Sequence, residues 1–247
     1  MFILKPYIFN RFKNIVFGFS TRFSENTNSQ YGFNLSFSVG DDKEIVEKNR
    51  AEFFKETGLP DNSVSFQSQI HSDIIKVVDC AGNCGQSDAL ITNRKGIGLA
   101  VIIADCTPVF IYDNKNQIIA AVHAGWRGTE QNILGKTLNK LSNDFNAKPE
   151  NLNVYIGPSI SQINYEVGDE VAEKFNYKYL IRNGKKYLLD VSRINYDTLL
   201  ESGIPKIQIQ KSVLCTFEYS ELFHSYRRDG KLSGRSIGVI AMKDQTK

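Results

Sequence analysis

The 247-residue sequence lacks a strong charge of either sign: 30 basic against 27 acidic residues leave a net charge of +3. So small an excess, with the basic residues scattered, gives no footprint for nucleic acid, and none is expected as a partner. Also missing is any run of the roughly 20 apolar residues that a membrane helix needs; the longest candidate, Gly96 to Ala104, stops at Asp105. Met1–Pro6 has neither a basic start nor a sustained apolar stretch, so a cytoplasmic protein is expected, away from membranes. There is no low-complexity tract, no repeat and no Pro/Gly/Ser-rich linker, which favours one domain over residues 1–247. The apolar fraction of 41% and charged fraction of 23% exclude a disordered chain, a collagen and a coiled coil.

What is present reads as strands mixed with helices. Ile97–Ala104 is a β-branched apolar run suited to a strand buried on both faces. Pro108–Tyr112 and Ile118–Val122 flank the polar turn Asp113–Asn116 and read as a hairpin. Further strands are predicted at Ser63–Gln69, Ile74–Val78, Asn153–Ile156, Tyr187–Asp190, Ile207–Ile209 and Ser236–Met242. Short strands around a loop at Ser24–Tyr31 are expected between Asn14 and Ser38. Helices are predicted over Asp41–Thr57, Thr129 to about Phe145, Val167–Phe175 and Ser192–Leu200. Without strict strand–helix alternation, the expected class is α+β, with mixed β-sheets packed between helices.

Chemistry-bearing residues are few. The histidines are His71, His123 and His224, and the cysteines Cys80, Cys84, Cys106 and Cys215, expected as reduced thiols. His123 ends an apolar strand and precedes Ala-Gly-Trp-Arg-Gly, a loop with two glycines at the entrance of the predicted helix. In the hairpin, paired positions sum to about 230, so Pro108 faces the region of Val122–His123. Cys106 lies about two residues further, roughly 7 Å along the strand. His71 stands in a polar break between strands. Two imidazoles and a thiolate suit Zn²⁺, with a fourth position open as in catalytic zinc. The gaps of 35 and 17 residues between the three match no local zinc motif, so spacing leaves the assignment open. Cys80-x3-Cys84, a single pair without a second nearby, is expected not to bind the metal.

His123-Ala-Gly-Trp-Arg-Gly128, Ala104-Asp-Cys106 with Pro108, and Gln69-x-His71 resemble the signature of the YfiH-type laccase-domain family. Members are also described as polyphenol oxidases or multifunctional purine nucleoside enzymes. The resemblance runs in order through Ser20-Thr-Arg22, Asn34-Leu35, Val39–Asp42, Ser87–Thr92, Ile156-Gly-Pro158, Tyr165–Gly168, Leu189-Asp190, Cys215-Thr216 and Ser225–Gly230. It implies one α+β domain with mixed sheets between helices and a mononuclear zinc on His71, Cys106 and His123. It also implies phosphorolysis of adenosine, inosine, guanosine and methylthioadenosine, with deamination of adenosine alongside. Two stretches depart from the family: Phe23–Asn26 replaces a Gly-rich segment, and His224 stands where an aromatic residue is expected, so His224 is expected not to ligate.

The roles expected from chemistry agree. A catalytic zinc lowers the pKa of bound water toward about 7. Phosphorolysis needs a held phosphate, for which Arg127 at the helix entrance is the first choice and Arg22 the second. Asn34 and Gln69 complete the expected substrate and phosphate contacts. Asp105, beside the thiolate, is a candidate general base or a carboxylate that orients His123. Arg227-Arg228-Asp229 reads as a turn-fixing ion pair. Two other readings stay open. One is a copper-dependent oxidoreductase of phenols, weakened because three histidines cannot furnish ligands for several coppers. The other is a hydrolase editing cell-wall precursors, with Cys106 as nucleophile and His123 as base. The expected partners are small-molecule nucleosides and phosphate, and the protein is expected to be a monomer.

Overall fold

The computed structural model describes residues 1–24 and 29–244. Two six-stranded sheets lie face to face. The first runs, edge to edge, Ile3–Leu4, Ile15–Ser20, Ser236–Met242, Gly98–Ile103, Val64–Ser68 and Gly82–Gln86. The second runs Ile209–Lys211, Leu152–Ile156, Thr107–Asp113, Ile118–Ala124, Ala89–Thr92 and Ile75–Val77. Both sheets mix parallel and antiparallel pairs. A small third sheet joins Glu166–Val167, Lys186–Leu189 and Leu180–Asn183.

Period-two alternation explains why the central strands read as unbroken apolar runs. In Gly98–Ile103, Leu99, Val101 and Ile103 meet Phe110, Tyr112 and Ala121 of the second sheet. Ala100 and Ile102 point the other way, into a cluster with Phe53 and Phe54 of helix Lys43–Thr57. In Thr107–Asp113, Val109 and Ile111 turn outward to Leu134, Leu138 and Leu141 of helix Ile133–Phe145. The order of layers is therefore helix, sheet, sheet, helix, and each central strand is buried on both faces. The sheets approach closely at Gly238, where a Cβ would lie 2.4 Å from the Phe110 ring, so no larger residue fits there without a shift.

Most predicted elements form where the periodicity places them, and Ser236–Met242 does so to the residue. Three differ. The helix expected over 129–145 is two helices, Trp126–Glu130 and Ile133–Phe145, because Asn132 takes a left-handed φ of 58° and caps the second helix with its side chain. The helix expected over 167–175 is a short strand, Glu166–Val167, followed by the single turn Asp169–Ala172. Ile207 lies in a 3₁₀ turn, and the strand there is Ile209–Lys211. Residues 25–28 of the predicted loop, including part of the departure at Phe23–Asn26, lie outside the described residues. No helix among the described residues is long and apolar enough to cross a membrane.

Candidate metal centre and cavity

The hairpin that carries two of the predicted ligands has Pro108 paired with His123 and Thr107 with Ala124, one position from the expected register. Cys106 immediately precedes its strand and His123 is the penultimate residue of the other. His71 arrives from the loop after strand Val64–Ser68, with a left-handed backbone φ of 60°. One ligand atom from each of His71, Cys106 and His123 lies within 4.8 Å of the others, the one such donor cluster among the described residues. Cys106 Sγ and His71 Nε2 are 3.9 Å apart. Zinc–ligand bonds of about 2.3 Å to sulfur and 2.0 Å to nitrogen in a tetrahedron separate those atoms by about 3.5 Å, so the residues fit the ion. Backbone geometry adds a second sign of fit. A Cβ on Gly125 would meet His71 Cδ2 at 3.0 Å and Cys106 Sγ at 3.1 Å, so glycine keeps that space open.

The residue that assembles the cluster is Asp88, which the sequence reading did not single out. Its buried carboxylate accepts the backbone N–H groups of Ile70, His71 and Ser72 at 3.2, 3.0 and 2.7 Å. It also accepts the Ser72 hydroxyl at 2.7 Å and His123 Nδ1–H at 2.8 Å. One carboxylate thus fixes the His71 loop and fixes the His123 ring, leaving Nε2 as the free donor atom. Burial alone would raise the Asp88 pKa; the hydrogen bonds from His123 and Ser72 outweigh it and hold the group at about 2. For Cys106, burial likewise opposes ionisation, but the charge and hydrogen bonds of His123 and His71 hold the thiol well below its ordinary value. His123 is moved upward, because the thiolate and Asp88 outweigh the effect of burial. At neutral pH the metal-free pair is thus a thiolate beside an imidazolium, and a metal ion would displace the proton from His123 to bind it.

The cluster opens into a cavity of about 1290 Å³. Arg127, Arg227 and Arg235 line it, and among the described residues none of the three has a carboxylate within ion-pair distance. Aromatic rings back the arginines: Arg127 lies 4.2 Å over Trp126, Arg227 5.0 Å over Tyr165 and Arg235 5.5 Å over Tyr226. Burial, followed by the nearby Cys106 charge, pushes the Tyr165 hydroxyl up, so it stays protonated as a donor at the cavity wall.

The other predicted residues divide. Gln69 lines the cavity, but its amide is spent on Ile102, pairing with both the N–H and the carbonyl at 2.7 Å. Asp105 also lines it, with a φ of 90°. Its carboxylate oxygens accept from Thr216 Oγ1 and Arg227 N at 2.7 Å each, and the partner of His123 is Asp88 instead. Arg22 and Asn34 do not line the cavity. Arg22 reaches the Ser220 carbonyl at 3.1 Å and Asp229 at 3.5 Å. Asn34 is fully buried and holds Ser36, Asp41 and Arg235 N. Arg228 grips Asp229 through two nitrogens at 2.9 and 2.8 Å, the turn-fixing pair expected. His224 is buried with Nε2 against the Phe33 carbonyl at 3.2 Å; neither it nor Cys80 or Cys84 belongs to the donor cluster.

A family model described as "multi-copper polyphenol oxidoreductase laccase" matches residues 16–243. The chain belongs to this laccase-domain family. Among curated laccase-domain relatives, the purine nucleoside phosphorylase of Corynebacterium glutamicum is 37% identical over 231 residues, covering 90% of this chain and 92% of its own. The purine nucleoside phosphorylase YfiH of Escherichia coli is 33% identical over 213 residues, covering 84% and 85%. A Bacillus licheniformis structure, a hypothetical protein YfiH, superposes with a TM-score of 0.91 at 28% identity, covering 98% and 96%. This laccase-domain protein shares the mixed α/β fold of that structure. The multi-copper description does not fit its residues, since the described chain offers one cluster of three donors.

Proposed function

We propose that this protein is a zinc-dependent purine nucleoside phosphorylase, with His71, Cys106 and His123 as the metal ligands. The observation that carries the reading is that a three-donor cluster and three arginines free of acidic partners share one cavity. The names of the relatives supply the substrate class. The donor set favours zinc. A two-histidine, one-cysteine set also serves electron-transfer copper, but such sites add a weak axial methionine or an oxygen such as glutamine's, and the Gln69 amide is already taken by Ile102. Among the described residues no methionine lines this cavity, and His71 is exposed to it.

When bound, zinc supplies a Lewis acid at the base of the cavity. The chain's own groups do the rest. Arg127, first choice for phosphate from the sequence, projects from a single helical turn, so its own charge rather than a helix dipole draws the anion. A phosphate oxygen attacks C1′ of the ribose, the C1′–N bond breaks, and its electron pair leaves with the purine. The protonated Tyr165 hydroxyl is the donor at hand for that leaving base. Adenosine deamination and methylthioadenosine phosphorolysis belong to the same reading.

A second reading, a cysteine hydrolase of the kind that would edit cell-wall precursors, draws on the Cys106–His123 pair, whose ionised form suits a nucleophile. The deciding assay is release of purine from inosine and adenosine with and without inorganic phosphate. Phosphate-dependent release with one ribose 1-phosphate per base is expected; no purine release, with hydrolysis of cell-wall precursors that survives chelators and is abolished by thiol alkylation, would support the hydrolase instead.

A further inference from the structure

We propose that Arg235 is the residue that grips the phosphate in a fixed orientation, with Arg127 serving as an outer charge. Arg235 sits in the turn before strand Ser236–Met242 and lines the metal-bearing cavity. Its guanidinium is built into place. Nη1 donates to the carbonyls of Ser233 and Gly234 at 2.6 and 2.9 Å, and the Tyr226 ring lies 5.5 Å from the guanidinium carbon. Anchoring by one nitrogen leaves Nε and Nη2 without a protein acceptor among the described residues. Those two nitrogens form the fork that meets two oxygens of a phosphate at once.

The local charges favour Arg235 over the neighbouring arginines. The carboxylate in the same cavity, Asp105, already accepts from Thr216 and the Arg227 backbone. Arg235 is half-buried, whereas Arg127 and Arg227 are exposed. A charge partly removed from water, with no carboxylate in ion-pair contact among the described residues, attracts an anion more strongly than an exposed one. Arg227 also spends Nη1 on the Glu166 carbonyl at 2.8 Å, and among the described residues no hydrogen bond fixes the guanidinium of Arg127. Burial pulls the Arg235 pKa below the ordinary arginine value, outweighing the opposing pull of Asp105 and Cys106.

This inference takes its ligand from the phosphorylase reading, but its test is separate from turnover. Binding of inorganic phosphate to the metal-loaded full-length protein is measured by titration calorimetry, without nucleoside, for wild type, Arg235→Gln, Arg235→Lys and Arg127→Ala. Thermal melts confirm that each variant is folded. Both Arg235 variants are expected to bind phosphate about 10- to 100-fold more weakly, the span for losing charge-assisted hydrogen bonds. Lysine restores the charge but not the fork, so its failure to rescue distinguishes orientation from charge. Arg127→Ala is expected to lose less, and to lose its effect at high salt. Folded Arg235 variants that bind phosphate within twofold of wild type overturn the proposal, as does full rescue by lysine. Absence of phosphorolysis in a wild type that binds phosphate through Arg235 would overturn the functional reading alone.

Discussion

Replacing Asp88 by Asn changes no volume and removes one charge and one acceptor, which makes it the sharpest probe of how the site is assembled. Five donors converge on the carboxylate: two on Oδ1, from His71 N and His123 Nδ1, and three on Oδ2, from Ile70 N, Ser72 N and Ser72 Oγ. An amide has a single acceptor oxygen, so at least two of those donors must face an NH₂ group. Breaking a buried charged network in this way costs about 3–5 kcal/mol. At roughly 2–4 °C per kcal/mol for a chain of this size, Tm should fall by about 6–20 °C. Loosening both a ligand loop and a ligand ring should weaken zinc about 10- to 100-fold. Competition with a chromophoric chelator gives the zinc affinity, and melts at matched zinc give the stability. A zinc affinity within twofold of wild type would show that Asp88 does not organise the ligands, and the account of the site would fail there.

Gly125→Ala places a methyl group against His71 and Cys106 at about 3 Å; zinc affinity and activity should drop while Tm in metal-free protein moves by only a few degrees, and an unchanged zinc affinity would refute the cradle. His224 supplies a pH test. Burial, with Arg22 and Arg235 nearby, depresses its folded pKa to about 3, so below about pH 6.5 the unfolded chain takes up a proton that the folded chain refuses. Stability should therefore fall as pH drops from 7 to 5, by about 2 kcal/mol for this residue. Urea unfolding should show that difference between wild type and His224→Leu, and parallel pH profiles for the two proteins would contradict it.

The layers and the juxtaposition of the two hairpin candidates were legible because alternation and turn chemistry are local signals: the apolar run Ile97–Ala104 and the polar turn Asp113–Asn116 fix where Cys106 and His123 meet. His71 was a candidate from its polar break between strands, but spacing left it open, since the loop carrying it is brought in by a carboxylate 17 positions away. Asp88 left one weak trace, a Ser-Asp pair directly before the apolar run Ala89–Thr92. Nothing in its neighbours' spacing announces five converging donors. Arg22 and Asn34 sit in segments that resemble the family, yet their side chains fasten backbone and turns, and sequence position does not separate that duty from substrate contact. The break at Asn132 escaped because the apolar spacing from Ile133 onward looks the same whether or not the helix begins earlier. The role proposed for Arg235 escaped because it depends on which guanidinium nitrogens are already held by backbone carbonyls, a matter of three-dimensional partners.

Zinc content and phosphorolysis measured on the same protein test the central claim most directly. Purified protein should carry about one zinc per chain. Removing it with a chelator should abolish phosphate-dependent cleavage of inosine, and stoichiometric zinc should restore it, with neither outcome in Cys106→Ala. Full phosphorolysis by metal-free protein, or by Cys106→Ala, would contradict a metal-centred site.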